Sequence, residues 1–224
     1  RAALVIPSLT GGGSSSRPST SMLSTAGAYN FKFSGISIFI GAQSDAITKA
    51  RALLKDKLGE DAPVFIPHVT VVYNIPGVDT ANAEAKLREL CSRRGDIKPF
   101  EMKIEPDRFQ GGWKFGDYEP FNMRFFQLEY EGSSGGSLDT IYRAVNELFP
   151  GTKSSSSTGS FMPHAGVLYL NHGDERFTES DCKELLAAVP ELLTSSVQVD
   201  HLLLYRTEGT PNDWELLAEI ALSN

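Results

Sequence analysis

Two histidines stand in matching surroundings in this chain. His68 lies in Phe-Ile-Pro-His-Val-Thr-Val-Val-Tyr-Asn, residues 65–74, and His164 in Phe-Met-Pro-His-Ala-Gly-Val-Leu-Tyr-Leu, residues 161–170. Each follows a proline, sits among apolar residues and precedes a tyrosine by five positions, Tyr73 and Tyr169. Thr70 is two residues beyond His68, so on a strand the imidazole and the hydroxyl point to one face. Burying both without partners would cost roughly a few kcal/mol. One such pair alone fits a hydrogen-bonded core histidine. A second Pro-His strand points to two halves of one site.

Two imidazoles facing each other across a groove can work as acid and base. Free imidazole titrates near about 6.5, so one ring can be neutral while the other is charged. The neutral ring takes a proton from water and the charged ring gives one to a leaving oxygen, each role contributing roughly 10²–10⁴-fold. Neighbouring hydroxyls would hold an anion between the rings. That arrangement suits a phosphodiester, above all a strained cyclic one, and requires no metal. The sequence reading gives water activation to His164 and leaving-group protonation to His68, although nothing in the residues forces that division.

The elements that must position the pair are legible from periodicity. Gly35 to Gly41 reads as a strand with Ile36, Ile38 and Ile40 on a core face. Ser37, Phe39 and Gly41 form a second face, open enough to line a groove; there Phe39 either meets a nucleobase or packs. Ser44 caps a helix that Gly59 stops, with Ile47, Ala50, Leu54 and Leu58 on one stripe. Thr80 caps the next, with Ala83, Leu87, Leu90 and Cys91 inward. Phe100, Met102 and Ile104 alternate with charged residues as a strand with one wet face. Residues 110–120 form a loop or hairpin whose Trp113, Phe115 and Tyr118 make either a stacking rim or an edge packed on the core. A strand over 121–130 and a helix from Ser137 follow, then a Ser/Thr-rich loop over 151–160. Thr178 to Asp181 resembles a capping box. The last strands span 197–206 and 214–222.

The order strand, helix, His-strand, helix, strand then occurs twice, with offsets of about 96 residues between histidines and about 93 and 98 between flanking helices. This predicts an α+β, duplicated bilobal fold: two mainly antiparallel sheets with outer helices and a central groove. The pseudo-repeats fall at about 35–110 and 120–222. Tyr73 and Tyr169, at odd offsets from their histidines, turn away from the groove by strict alternation unless each lies past its strand end.

At these residues the chain resembles the 2H phosphoesterase superfamily, most closely the plant and fungal cyclic phosphodiesterases. Pro67-His-Val-Thr-Val71 is similar to their first motif. Pro163-His-Ala-Gly-Val-Leu-Tyr169 is similar to the second, except that Gly166 stands where the family has Ser or Thr. The resemblance spans roughly residues 33–222. It implies metal-independent opening of a 2′,3′-cyclic nucleotide, or of the ADP-ribose 1″,2″-cyclic phosphate of tRNA splicing, to a phosphomonoester. It also implies His68 and His164 as catalytic residues, with Thr70, Gly166, Tyr169 and Phe39 around the substrate. Without a hydroxyl at Gly166 the second half-site lacks a donor, a loss that can cost roughly 10²–10³ in rate. Glycine would equally let a backbone amide, a water or the substrate come close. Two other readings are an RNA-end enzyme of the same superfamily and a non-catalytic nucleotide-binding member.

The totals set bounds. The chain has 224 residues, 41% of them hydrophobic, enough for one domain over 31–224. A net charge of −7 argues against coating long nucleic acid but leaves room for a small cyclic nucleotide-type substrate. Cys91 and Cys182 fall at apolar helix positions and read as free thiols of a reducing compartment. No apolar run approaches the roughly 20 residues of a membrane span. No cofactor is implied, no His/Cys/carboxylate set has zinc spacing, and a monomer is expected. Residues 1–30 are low-complexity, Ser-rich and free of acidic residues: a tail, with cytoplasmic location, or a transit-like segment for a plastid or mitochondrion. His172 reads as solvated and His201 as a paired core histidine.

Overall fold

In a computed structural model of the chain, the described residues are 34–59, 66–75, 77–105, 109–118, 122–131, 136–152 and 161–223. The N-terminal segment and the Ser/Thr-rich stretch 153–160 lie outside them, as do Phe65 and Phe121. Nine strands occur among the described residues: β1 (Ile36–Gly41), β2 (His68–Ile75), β3 (Phe100–Lys103), β4 (Trp113–Tyr118), β5 (Met123–Glu129), β6 (His164–Asn171), β7 (Ser196–Val199), β8 (His201–Arg206) and β9 (Glu215–Ala221). The helices are α1 (Asp45–Leu58), α2 (Thr80–Arg93), the single turn α3 (Phe109–Gly112), α4 (Ser137–Leu148) and α5 (Glu179–Ala188). The fold is α+β with two antiparallel sheets, one of seven strands in the order β4-β5-β6-β2-β1-β8-β9 and one of two, β3-β7.

The larger sheet is continuous across the molecule, and the two His-strands are its neighbours at the centre. Its halves do not divide where the pseudo-repeats do. β8 and β9, from the C-terminal end, lie against β1, so the strands beside β2 come from both ends of the chain. The expected strand 197–206 is two strands in different sheets, parted at Asp200.

One face of this sheet carries the core. Ile38, Ile40, Val69, Phe126, Ala165, Leu202 and Leu204 cluster there with Ile47 and Leu54 of α1, Leu87 and Cys91 of α2, Ile141 and Val145 of α4, and Cys182 of α5. The helices begin and end where local chemistry dictates. The Ser44 hydroxyl accepts from the Ile47 amide at 3.2 Å, and Gly59 ends α1 at φ 84°, which favours glycine. Thr178 and Asp181 form the capping box of α5. Asp79, not Thr80, caps α2, accepting from the Asn82 amide at 2.8 Å. Gly136 stands at the N-cap of α4 without a side-chain bond. Cys91 and Cys182 are buried free thiols, and burial pushes the Cys182 thiol up to about 12.

The other face was expected to be open along β1 and is not. Ser37 and Phe39 are both buried. Ser37 shares a 2.8 Å hydrogen bond with the Thr207 hydroxyl, and Phe39 is covered by Tyr205, Trp214 and His68. β4 likewise splits its aromatics. Trp113 meets Phe126 and Phe115 meets Phe177 on the helix side, while Tyr118 is exposed.

Candidate active site

Val69 pairs with Ala165 across the central seam. In that antiparallel register His68 lies opposite Gly166 and Thr70 opposite His164. The alternation that buries Val69 and Ala165 among the helices turns all four of these residues to the opposite face. The two histidines are therefore diagonal neighbours on adjacent strands, a relation with a typical backbone separation of about 7–8 Å.

Each imidazole is held the same way. His68 Nδ1 is 2.7 Å from the Ile66 carbonyl oxygen and His164 Nδ1 is 3.0 Å from the Met162 carbonyl oxygen. A carbonyl only accepts, so each Nδ1 carries the hydrogen and donates, leaving Nε2 of the neutral ring as the acceptor nitrogen. The proline between carbonyl and ring explains the geometry, because it restricts the residue before it to extended conformations. The proline carbonyls also match: Pro67 accepts from the Ala42 amide at 2.9 Å and Pro163 from the Tyr130 amide at 3.0 Å.

The flanks differ. On the His68 side stands an aromatic wall, with the Phe39 ring centroid 4.0 Å from His68 and the Trp214 ring 5.7 Å away, edge-on. On the His164 side stands a polar wall. Glu129 pairs directly with His164 and Gln127 with Gly166, and the Gln127 amide donates to Glu129 at 3.1 Å. Burial, with His164's charge as a lesser contributor, drives the His68 pKa down to about 4 against the pull of the Ile66 carbonyl. Burial also lowers His164, but there the Met162 carbonyl and the Glu129 carboxylate oppose it, with Lys114 adding a small push downward. His68 is thus the ring kept neutral and His164 the one more ready to hold a proton.

Both His-strands carry an irregularity one residue past the motif. Thr70 pairs with Phe39 but Val72 with Ile38, and Gly166 pairs with Gln127 but Leu168 with Phe126. Val71 and Val167 are the extra residues, and each shares burial with the apolar residue after it. Such a bulge resets the pleat by one position. Tyr73 and Tyr169 are consequently on the histidine face, although strict alternation from the histidines turned them away.

The expected site residues are distributed as follows. His68, Thr70, His164, Gly166 and Tyr169 share one face of two adjoining strands. Phe39 is on that face too, but it is only 2% exposed and backs His68, so it has no free ring face for a nucleobase. His201 is not a core histidine; its side chain is 40% exposed, with Nδ1 2.7 Å from Asp200 Oδ1. His172 is at the surface beside Asp117. A shallow cavity of about 220 Å³ lies one strand out from His68, lined by Gly41, His201, Leu203 and Glu219 among others. Among the described residues, no three His, Cys, Asp or Glu side chains group as metal ligands would. Sequence reasoning passed over Gln127, Glu129 and Trp214. The first two had a signal, since polar residues two apart in the apolar run 123–129 repeat the His68–Thr70 pattern. Trp214 had none.

A paired-imidazole site at the seam of an antiparallel sheet, with helices behind it, defines the 2H class of phosphoesterases. The chain belongs to the 2′-5′ RNA ligase superfamily, whose family model matches residues 40–211. Two solved structures agree at the level of fold. Kluyveromyces marxianus Usb1 superposes with a TM-score of 0.52 at 14% identity, over 85% of this chain and 98% of that one. Its complex with uridine monophosphate gives 0.52 at 12%, over 82% and 97%. Escherichia coli LigT with 3′-AMP covers 87% and 100%, with a TM-score of 0.47 at 12% identity. No curated protein sequence matches the chain. Among the described residues no helix is long and apolar enough to cross a membrane.

Proposed function

We propose that the chain hydrolyses a cyclic phosphodiester, a 2′,3′-cyclic nucleotide or ADP-ribose 1″,2″-cyclic phosphate, to a phosphomonoester, with His68 as base and His164 as acid. The observation that carries this reading is the shared geometry of the two rings: adjacent strands, one face, and both Nδ1 atoms committed to backbone carbonyls. His68 Nε2 takes a proton from water as the water oxygen bonds to phosphorus. The ring P–O bond breaks, and His164 Nε2 gives its proton to the departing ribose oxygen. Thr70 donates to a non-bridging oxygen. This division is the reverse of the sequence-based one, and its support is the contrast in surroundings: burial disfavours charge on His68, and Glu129 favours it on His164. The products are chemically complete without a metal, and the likeness of the motifs to plant and fungal cyclic phosphodiesterases favours a small substrate. So does the acidic balance of the chain, with a net charge of −7.

The test is turnover of 2′,3′-cyclic AMP, ADP-ribose 1″,2″-cyclic phosphate and an RNA oligonucleotide ending in a 2′,3′-cyclic phosphate, each in EDTA. The expected result is hydrolysis of the small esters, undiminished by chelation and lost in both His68→Ala and His164→Ala. Turnover of the oligonucleotide alone would move the substrate to RNA ends. Saturable nucleotide binding without turnover would make the chain a binding protein.

A further inference from the structure

The second half-site is not empty where glycine replaces the hydroxyl residue. A Cβ built on Gly166 would lie 2.1 Å from Tyr169 Cε2, 2.2 Å from its hydroxyl oxygen and 2.3 Å from Cζ. All three distances are below any real non-bonded approach, so the far end of the Tyr169 side chain occupies the volume a residue-166 side chain would fill. Two features put it there. The bulge at Val167 brings Tyr169 onto the histidine face, and the missing Cβ lets the ring lie against the backbone.

We infer that Tyr169 supplies the hydroxyl of the second half-site, its phenol donating to the phosphoryl oxygen that a Ser or Thr at position 166 would otherwise hold. The inference rests on the phosphodiester reading above and names the donor that reading lacks. Gly166 and Tyr169 then act as one unit: the glycine is the clearance that the tyrosine requires. Burial pushes the Tyr169 phenol up to about 12, so it keeps its proton, and its capacity to donate, across any working pH. The first half-site gives the contrast. Tyr73 occupies the same offset behind an equivalent bulge, but Thr70 carries a side chain where Gly166 has none. Burial pushes the Tyr73 phenol up, with a smaller contribution from the nearby Tyr118.

The experiment compares Tyr169→Phe, Gly166→Ser and Gly166→Ser/Tyr169→Ala with wild type. Two readouts are used: kcat/KM for a 2′,3′-cyclic nucleotide, and inorganic phosphate affinity by calorimetry. Thermal melting of each variant checks the fold. Removing the phenolic oxygen should cut kcat/KM roughly 10²-fold or more, the scale for losing one preorganised donor, and weaken phosphate binding. Gly166→Ser alone should also lower both, because the displaced ring, still tethered beside the site, crowds the space that the serine hydroxyl would serve; the clash is with the end of a side chain, so the ring yields rather than the backbone. The double variant, with hydroxyl restored and ring removed, should recover most of the loss. Wild-type turnover and phosphate affinity in Tyr169→Phe would overturn the inference while leaving the enzymatic reading standing. Phosphate binding that depends on Tyr169, in a protein that turns over no cyclic ester, would overturn the enzymatic reading and keep this one. Neither turnover nor phosphate binding in wild type would sink both.

Discussion

β2 and β6 share one plan and finish it differently. Both enter through proline, fix an imidazole by its Nδ1 hydrogen to the carbonyl two residues back, and bulge at the third residue after the histidine. What differs is the next strand outward. β1 gives β2 a hydrophobic neighbour, Phe39, and the chain adds Trp214 beyond it. β5 gives β6 a carboxylate and an amide, Glu129 and Gln127. Identical flanks would give neither ring a preference for acid or base. In the proposed mechanism it is the differing flanks that set the direction of proton transfer.

The sharpest way to break this comparison is to remove one ring at a time. His68→Ala and His164→Ala should each lower kcat/KM by roughly 10²–10⁴-fold, and the double variant by less than the product of the two, since the rings serve one transition state. The pH profile distinguishes the variants. In wild type the acid limb should lie near pH 4, where His68 gains its proton, and the alkaline limb at His164. In His68→Ala the acid limb should vanish and the alkaline limb remain. The opposite pattern would restore the sequence-based division.

Thr70→Val tests the half-site that has its own hydroxyl. Its loss should cost roughly 10²–10³ in kcat/KM, with little change in melting temperature because Thr70 is only half-buried. An effect below about threefold would mean that Thr70 packs the strand rather than holding the anion.

His68 also makes the fold sensitive to acid. Its folded pKa, about 4, is below the ordinary value of 6.5. The unfolded chain therefore binds the extra proton first, and stability falls as pH drops from about 6.5 to about 4, then levels with respect to this group. The size is roughly 3 kcal/mol, from about 1.36 kcal/mol per unit. Urea unfolding at pH 7 and pH 4.5 should show the drop, with a smaller drop in His68→Ala. Equal acid sensitivity in both would place the lowered pKa elsewhere.

The sequence carried the local elements and both motifs because those depend on neighbours: caps at Ser44 and Thr178, stripes on α1 and α2, alternation in β1 and β3. It lost what depends on distant pairing. Nothing in residues 196–206 says that Asp200 divides two sheets, and nothing near Glu215 says that β9 belongs beyond β8 on the His68 side. The bulges were half-visible. Val71-Val72 and Val167-Leu168 are apolar doublets that strict alternation cannot bury on one face, and an extra residue is the physical way to bury both. Reading them so would have placed Tyr73 and Tyr169 beside the histidines. The burial of Phe39 was open to either reading, and only the positions of Tyr205 and Trp214, from the far end of the chain, decide it.

The finest test of the two walls uses sign rather than size. Glu129 raises the proton affinity of His164 and Lys114 lowers it. Glu129→Gln keeps the shape and an acceptor for Gln127 while deleting the charge, so the alkaline limb of kcat/KM should move to lower pH. The rate at pH 7.5 should fall several-fold, while the rate near pH 5 stays close to wild type. Lys114→Met should move the same limb upward by a smaller amount. Neither should shift the acid limb, because His68 answers to its burial, then to the Ile66 carbonyl, and only after these to His164. If both substitutions moved the acid limb instead, the polar wall would be tuning His68, and the direction of proton transfer argued from β1 and β5 would be reversed.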